Sequence, residues 1–271
     1  MWGRGAVAKL PLATTPDEWI EAEATFTDLV WAVGAPVPRV LGIERIDGRS
    51  ASIYERIDGR SMWEQMVEEP GDVEALAQSL AALQAHVFSL VPPAGLPAQH
   101  DRVASKIRNA ADRFDRSLLI ALGSVPFVGP ARSLCHGDLH PGNVIVGRHG
   151  PVIIDWFDVS EGDRTGDVAR SALLQSSSAH GPGGPAHLPR SSPQLLERAG
   201  RSYLASILAL ADIDEGTLAR WTAVMAVARM SEGVDPRGLR AIWDAWRAGG
   251  SLDEAQLPTW TVTSAPARGA P

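Results

Sequence analysis

The chain has 271 residues, 45% of them hydrophobic and 21% charged, which is the composition of a globular protein with a sizeable buried core. Its formal net charge of -7 argues against sequence-independent binding of nucleic acid, because that binding needs clustered Lys and Arg. Cys135 is the only cysteine, so the sequence excludes a disulfide framework and a cysteine-rich metal site.

Residues 1–57 are predicted to form a small lobe with the order strand, helix, strand, strand. The helix is predicted to begin with Thr15 as N-cap, Pro16 in the first turn and Glu18 completing a capping box. The sequence DGRS between two β-like runs is typical of a hairpin turn. In chain order, the predicted elements of this lobe are a strand at 5–12, a helix at 16–33, and hairpin strands at 39–46 and 51–57.

Residues 58–257 are predicted to form a larger, mainly helical lobe. Apolar residues at helical spacing, such as Leu76, Leu80 and Leu83, indicate helices that bury one face. The predicted helices lie at 72–90, 101–122, 194–211, 215–230 and 236–248, and two short predicted strands lie at 143–147 and 151–155.

Two segments lack the periodicity of helices and strands. Residues 176–193 are rich in Ser, Gly and Pro, which predicts a loop or a mobile insert. Residues 258–271 are predicted to be a disordered tail. The N-terminus lacks the apolar core of a signal peptide, and no run reaches the roughly 18 apolar residues of a membrane span. The sequence therefore predicts a cytoplasmic protein without a membrane partner.

One segment, LCHGDLHPGNVIV at 134–146, concentrates polar side chains between apolar residues. Asp138 and Asn143 form the pattern D-x-x-x-x-N, and Asp155 follows at the end of the next predicted strand. Two carboxylates and an amide oxygen are hard ligands that suit Mg²⁺ with phosphate oxygens. In phosphoryl transfer one such aspartate accepts the hydroxyl proton while an asparagine and a second aspartate hold Mg²⁺. Each residue taken alone is more typical of a cap or a turn.

HGDLHPGNVIV followed by IIDWFDVSEGDRTGDVA resembles the aminoglycoside phosphotransferase family, which has the protein-kinase-like fold. The family pattern H-G-D-x-x-x-x-N matches 136–143, the pattern I-D-[WF] matches 154–156, and G-D-x-x-x-D matches 162–167. The stretches GAPVPRVLG, YERIDGRSM and ALAQSLAALQAHV extend the resemblance over residues 5–175. It implies an α+β fold with two lobes, a small β-rich N-lobe and a larger, mainly helical C-lobe.

The resemblance also implies an ATP-dependent or GTP-dependent kinase that phosphorylates a hydroxyl of a small molecule. It implies that Asp138 is the catalytic base and that Asn143 and Asp155 bind Mg²⁺ at the nucleotide phosphates. His136 would support the loop backbone, and Asp167 would accept hydrogen bonds from it.

His140 lies beside Pro141 in the same segment. The sequence leaves open whether it supports the loop or contacts the substrate.

On the nucleotide side, Lys9 matches the family's strand lysine that contacts the phosphates, and Glu23 matches the helix glutamate that pairs with it. Two alternatives remain: Lys9 as an edge-strand lysine that reaches solvent, and Glu21 in place of Glu23. Lys9 and Lys106 are the only lysines, and a lysine in an apolar strand needs a partner because burial of an unpaired ammonium is costly. The family's hinge, whose backbone would bind adenine, corresponds to Tyr54, Glu55, Arg56 and Ile57.

The acceptor is not determined by the sequence. An antibiotic such as a polycationic aminoglycoside is one candidate, since acidic residues of the C-terminal half would attract it; solvated helix surfaces explain those residues equally well. Tryptophans in the same half would instead suit a ring-bearing acceptor, although core packing is their commoner use. The acidic residues are Asp212, Asp214, Glu215, Glu232 and Asp235, and the tryptophans are Trp221, Trp243, Trp246 and Trp260.

Two other functions compete with the kinase. The first is a kinase-like binding protein without activity. Eight residues precede Lys9, whereas a glycine-rich hairpin before this strand takes about 20, and GRG at 3–5 is a remnant of one. The N-lobe is therefore predicted to be truncated, with weakened cover over ATP. The second is a metal-dependent hydrolase with His136, Asp138 and His140 as ligands.

Overall fold

A computed structural model describes the chain over residues 5–12, 14–126, 132–176 and 193–249. The predicted tail at 258–271 lies outside these residues, as does the predicted insert apart from its end residues, 176 and 193. None of the helices in the described ranges is both long and apolar enough to cross a membrane.

An antiparallel sheet and one helix form the N-terminal lobe. Ile53 and Tyr54 are buried in the central strand, which pairs with a neighbour on each side. Asp47 and Gly48 have φ of 50° and 77°, the left-handed values that a two-residue hairpin turn requires, so the predicted hairpin is confirmed. In chain order the elements are β1 (Ala6–Lys9), α1 (Asp17–Ala32), β2 (Val40–Ile46) and β3 (Arg49–Glu55), and the sheet order is β1-β3-β2.

The predicted start of α1 is wrong in its cap. The backbone N–H of Thr15 closes a turn on the carbonyl of Leu12 at 3.0 Å, so Thr15 lies outside the helix. Pro16 occupies the N-cap position with an extended backbone, and its side chain makes no capping hydrogen bond. Asp17 and Glu18 occupy the first turn, where their negative charges interact favourably with the positive end of the helix dipole.

The C-terminal lobe is built from helices that surround one apolar core. Its largest fully buried side chains include Trp156, Trp221, Trp243 and Tyr203. Its helices are α2 (Met62–Glu68), α3 (Val73–Ser89), α4 (Gln99–Arg113), α5 (Arg164–Gln175), α6 (Pro193–Ala211), α7 (Glu215–Arg229) and α8 (Pro236–Gly249). Its strands are β4 (Gly59–Ser61), β5 (Ser133–Cys135), β6 (Val144–Gly147), β7 (Gly150–Ile153) and β8 (Ser160–Gly162).

The helix predicted at 101–122 is two elements. α4 ends at Arg113, and a 3₁₀ helix runs from Arg116 to Ser124. Asp115 between them has an extended backbone and caps the new helix by accepting a hydrogen bond from the N–H of Ser117 at 2.9 Å. The side chain of an aspartate competes with the helix in this way because it can bond to a nearby backbone N–H.

The sequence pattern gave no prediction for α2 or α5. α2 begins at a capping box in which Ser61 and Glu64 bond to each other's backbone N–H groups. α5 is buried on all sides from Thr165 to Gln175, so that its polar residues Asp167, Arg170 and Gln175 face the interior of the lobe and not solvent.

Short strands hold the polar segment at the junction of the two lobes. β5 pairs with β8 before the segment, and β6 pairs with β4 and β7 after it. The N–H of Ile153 donates to the carbonyl of Pro36 at 2.7 Å, which ties β7 to the loop after α1. Residues 136–143 therefore lie between two paired strands at the junction of the lobes.

Candidate active site

The segment 136–143, here termed the catalytic loop, is shaped by hydrogen bonds in which histidine rings accept from its backbone N–H groups. Nδ1 of His136 accepts from the N–H of Asp138 at 3.1 Å, and Nδ1 of His140 accepts from the N–H of Gly142 at 3.0 Å. Gly137 has a φ of 80°, in the left-handed region that glycine reaches most easily. These three features turn the chain so that Asp138 and Asn143 approach each other.

Asp167 of α5 holds the catalytic loop from below. Its Oδ1 accepts from the N–H of Gly137 at 2.7 Å, and its Oδ2 accepts from the N–H of His136 at 3.2 Å and from Nε2 of Gln84 at 3.0 Å. Burial raises the pKa of the Asp167 carboxyl, and the hydrogen bonds from Gln84 and the loop oppose that shift. Asp167 therefore contacts loop backbone and lies behind it, away from the cleft.

His136 joins the catalytic loop to the segment that carries Asp155. Its ring is fully buried, Nε2 donates to the carbonyl of Ile154 at 3.1 Å, and its edge packs on Trp156 with ring centroids 4.6 Å apart. Because Nδ1 and Nε2 are both engaged, the ring has no lone pair for a metal ion. This argues against the hydrolase alternative, which requires His136 as a ligand. Within the described ranges no group of three or more His, Cys, Asp and Glu has metal-binding geometry.

Lys9 joins three elements at one end of the cleft. Its Nζ lies 2.6 Å from Oε1 of Glu23 on α1 and 2.9 Å from Oδ1 of Asp155, which follows β7. Burial opposes the charge, but the carboxylates of Asp155 and Glu23 outweigh it and raise the pKa of Lys9. Glu21 is exposed on the opposite face of α1. The partner of Lys9 on α1 is thus Glu23.

Asp155 has a strained backbone. Its φ of 66° and ψ of 63° lie in the left-handed region, which residues other than glycine rarely adopt. Neighbouring contacts hold this conformation: the N–H of Ile154 donates to the carbonyl of Asn143 at 2.9 Å, and Nε1 of Trp156 donates to the carbonyl of Ile153 at 3.0 Å. The strain turns the Asp155 carboxylate toward Lys9.

The cleft beside Lys9 has a volume of about 510 Å³ and mostly apolar walls. It is large enough for a nucleotide-sized ligand. The residues that line it, besides Lys9, Glu23 and Asp155, are Ala6, Val7, Thr27, Pro38, Tyr54, Glu55, Arg56, Ile57, Ile145, Ile154 and Trp156.

The hinge residues line this cleft, but two of their backbone donors are already used. The N–H of Glu55 donates to the carbonyl of Arg39 at 2.8 Å, and the N–H of Arg56 donates to the carbonyl of Gly5 at 3.0 Å. The side chain of Arg56 pairs with Asp58. A purine base in the cleft would therefore need other hinge atoms than these two N–H groups.

Asp138 receives hydrogen bonds on both carboxylate oxygens. Oδ1 accepts from Nη2 of Arg170 at 2.8 Å, and Oδ2 accepts from Nδ2 of Asn143 at 3.3 Å. Nε2 of His140 lies 3.9 Å from Oδ2. The Asn143 amide also donates to the backbone carbonyl of Asp138 at 2.9 Å. With its nitrogen used in this way, Asn143 retains its oxygen as a ligand atom.

Sequence reasoning missed Arg170, and it considered Glu232 only as a surface acid. Nη1 of Arg170 lies 2.8 Å from Glu232, which also pairs with Lys106 at 3.2 Å and Arg229 at 3.4 Å. The signal available in the sequence is an arginine inside the helix RTGDVARSALLQ, which is otherwise rich in small and apolar residues.

The C-terminal acids and tryptophans mostly have structural contacts. Asp214 caps α7 through the N–H of Thr217 at 2.7 Å, and Asp235 pairs with Arg237. Trp221 and Trp243 are buried in the core, whereas Trp260 lies outside the described residues. The acids engaged in this way, Glu232 included, do not form an open anionic surface.

Comparison with known proteins identifies a family. The model of the phosphotransferase enzyme family matches residues 2–187, more than half of the chain. A search among curated proteins finds no match.

Several solved structures share the fold. An aminoglycoside-3'-phosphotransferase of type VIII is 23% identical with a TM-score of 0.55, over 84% of this chain and 83% of that chain. An aminoglycoside phosphotransferase from Streptomyces rimosus is 17% identical with a TM-score of 0.58, over 83% and 86%, and has also been solved with ADP and streptomycin. A choline kinase from Cryptosporidium parvum is 10% identical with a TM-score of 0.57, over 94% and 85%. The α+β protein-kinase-like fold is therefore confirmed.

Replacing Gly137 by alanine tests whether the loop tolerates a side chain there. At φ of 80° the substitution costs about 1–2 kcal/mol of backbone strain, and the new Cβ overlaps the backbone carbonyl of Asp158, which adds about 1–3 kcal/mol. Gly48→Ala is the matched control, because φ there is 77° and no atom lies within 4 Å of the new Cβ. Urea unfolding should show a larger loss for Gly137→Ala; equal losses would contradict the close approach.

The pH dependence of stability tests the environment of His140. Burial lowers the pKa of His140 to about 4, despite the opposing effect of Asp138, from an ordinary value of 6.5. The folded state then binds fewer protons than the unfolded state, so stability should fall by up to about 3 kcal/mol as pH drops from 6.5 to 4. His140→Asn, which retains an acceptor for Gly142, should lose less stability over that range. His149→Asn, on an exposed turn, should follow the wild-type curve; identical curves for all three proteins would refute the assignment.

Proposed function

Since the chain belongs to the phosphotransferase enzyme family, we propose that it transfers the γ-phosphate of ATP, or of GTP, to a hydroxyl of a small molecule. The observation that carries the proposal is the position of the Lys9 ammonium, which bridges Glu23 and Asp155 at the edge of the large cleft. This arrangement places a fixed positive charge and a free carboxylate oxygen beside a nucleotide-sized volume.

On the nucleotide side, Lys9 attracts the triphosphate and Glu23 keeps its ammonium oriented. The Asp155 carboxylate and the amide oxygen of Asn143 are hard oxygen ligands of the kind that Mg²⁺ prefers. A backbone hydrogen bond from Ile154, the residue before Asp155, to the carbonyl of Asn143 links the two ligands. Bound Mg²⁺ would neutralise phosphate charge during transfer. The apolar walls of the cleft would cover the base, with the hinge at its rim.

On the acceptor side, Asp138 orients the hydroxyl and accepts its proton. The hydroxyl oxygen forms a bond to the γ-phosphorus as the bond between that phosphorus and the bridging oxygen of ADP breaks. Catalysis of this kind depends mainly on positioning and electrostatics. The contacts of Asp138 with Arg170 and Asn143 limit the orientations of its carboxylate.

The acceptor is a small molecule with a hydroxyl group, and its charge is open. Streptomycin is bound by one protein with this fold, and choline is the substrate named for another. In the described part of this chain the carboxylates near Asp138 are already paired: Asp158 with Lys106 at 2.6 Å, and Glu232 with Arg170 at 2.8 Å. Because protein cations already neutralise these carboxylates, they are not available to bind amino groups of the acceptor. The pairs therefore favour an acceptor with fewer positive charges than a polycationic aminoglycoside.

Removal of the base provides one test. Asp138→Asn should lower phosphoryl transfer on the order of 10²–10⁴-fold while leaving Mg·ATP affinity nearly unchanged, because Asp138 acts on the acceptor. The amide retains an oxygen for Arg170, so folding should be preserved. The measurements are Mg·ATP calorimetry and ADP release with streptomycin, choline, a hexose and a hydroxy acid. Turnover within about tenfold of wild type would contradict the role of Asp138.

A pair of glutamates on α1 provides a second test. Glu23→Gln should weaken the hold on Lys9 and lower kcat/KM for Mg·ATP on the order of 10–100-fold, as for other residues that orient a ligand-binding group. Glu21→Gln removes a negative charge two residues away on the same helix, and Glu21 does not contact Lys9. Its kcat/KM for Mg·ATP should therefore stay within about twofold of wild type. Equal effects of the two substitutions would show that Glu23 does not act through Lys9.

A further inference from the structure

We propose that Arg170 is a positioning residue, which holds the Asp138 carboxylate in the orientation used for transfer and offsets its charge beside the triphosphate. This inference rests on the proposed function. It concerns a residue of α5 that lies outside the motif carrying the base.

A single guanidinium contacts both the side chain of the base and the backbone of its loop. Nη2 of Arg170 lies 2.8 Å from Oδ1 of Asp138, and Nε donates to the carbonyl of Gly137 at 3.1 Å. The planar guanidinium is stiff, so these two contacts fix the rotation of the Asp138 carboxylate. Oδ2, which accepts only the 3.3 Å hydrogen bond from Nδ2 of Asn143, is then the oxygen that can accept a proton from the substrate.

Glu232 keeps Arg170 in place. Nη1 of Arg170 lies 2.8 Å from Oε1 of Glu232 and 3.0 Å from Oε2. The Arg170 side chain is only 7% exposed. Burial opposes its charge, but Glu232, Asp138 and Asp158 outweigh the burial and raise the pKa of Arg170. The guanidinium is therefore charged throughout the physiological pH range and is engaged through all three of its nitrogens.

The charge of Arg170 matters because Asp138 would stand next to the negatively charged γ-phosphate. Two negative charges a few ångströms apart repel strongly in a partly desolvated site. A cation on Oδ1 reduces that repulsion mainly in the transition state, when the γ-phosphorus moves toward the hydroxyl that Asp138 holds. The same cation makes the carboxylate a weaker base, but transfer through a loose transition state depends more on position than on base strength.

An inhibitory role of Arg170 would give a different result from a positioning role. If Arg170 held Asp138 in an unproductive state until the acceptor displaced it, removal of the guanidinium would raise turnover. A purely structural role would instead lower stability, with turnover falling only in proportion to the folded fraction.

The experiment compares Arg170→Met and Arg170→Lys with Arg229→Met. Arg229 is the matched control, since its side chain is also only 7% exposed and contacts the same Glu232, at 3.4 Å. The measurements are the thermal melt of each variant, Mg·ATP calorimetry, and the pH profile of ADP release with water, streptomycin, choline, a hexose and a hydroxy acid as acceptors.

For Arg170→Met we expect kcat to fall at least about 100-fold, corrected for folded fraction, with the Kd of Mg·ATP within about threefold of wild type. Arg170→Lys should recover part of kcat, because an ammonium can replace the charge but not the planar contacts. Arg229→Met should keep kcat within about threefold. A kcat that is unchanged or raised in Arg170→Met, or an equal loss in Arg229→Met, overturns the inference.

An activity-independent readout separates this inference from the proposed function. The ¹⁵N NMR signal of Arg170 Nη2 should show slowed hydrogen exchange that is lost in Asp138→Ala, whereas Nη1, which contacts Glu232, should keep it. A wild-type protein that turns over without this ion pair contradicts the role of Arg170 alone. A wild-type protein that has the ion pair and binds Mg·ATP, yet releases no ADP with any of the acceptors, contradicts the proposed function and the role of Arg170 with it.

Discussion

The buried carboxylate of Asp167 is the constraint on which the rest of the site depends. Its two oxygens accept hydrogen bonds from the N–H groups of His136 and Gly137, so α5 and the catalytic loop cannot move independently. A buried carboxylate without these partners would be strongly destabilising, because neither water nor another donor would replace them. The loop geometry and the packing of the C-terminal lobe are therefore coupled through one side chain.

Two ion-pair clusters extend from that loop in opposite directions. One centres on Lys9 and joins the N-terminal sheet and α1 to the segment after β7. The other centres on Arg170 and joins Asp138 to Glu232 beyond α7. Each cluster places a fixed cation next to a carboxylate, and the Lys9 cluster lines the cleft. Fixed charges of this kind stabilise the charge that develops in a transition state without rearrangement of solvent, which suits chemistry on phosphate.

Several features were predictable from the sequence for physical reasons. The D-x-x-x-x-N spacing with a later aspartate predicts hard oxygen ligands. Lys9 does have anionic partners, but its side chain is 43% exposed on the edge strand β1, so full burial of the ammonium is not the reason for them. The Asp47 and Gly48 turn was predictable because few residues adopt its left-handed backbone. α5 is buried all round, so its polar residues bind other side chains and backbone and not solvent. The predicted cap at Thr15 is wrong because the chain turns before it reaches the helix.

The sequence by itself determined the class of fold and the family, because these depend on local patterns and on motifs with strict spacing. Only the tertiary structure decided which residues meet. It paired Lys9 with Glu23 and not with Glu21, and it placed Arg170 against Asp138. It also engaged the N–H groups of Glu55 and Arg56 with the carbonyls of Arg39 and Gly5. Such contacts join residues far apart in the chain, and they are selected by burial and charge compensation, which no local pattern encodes.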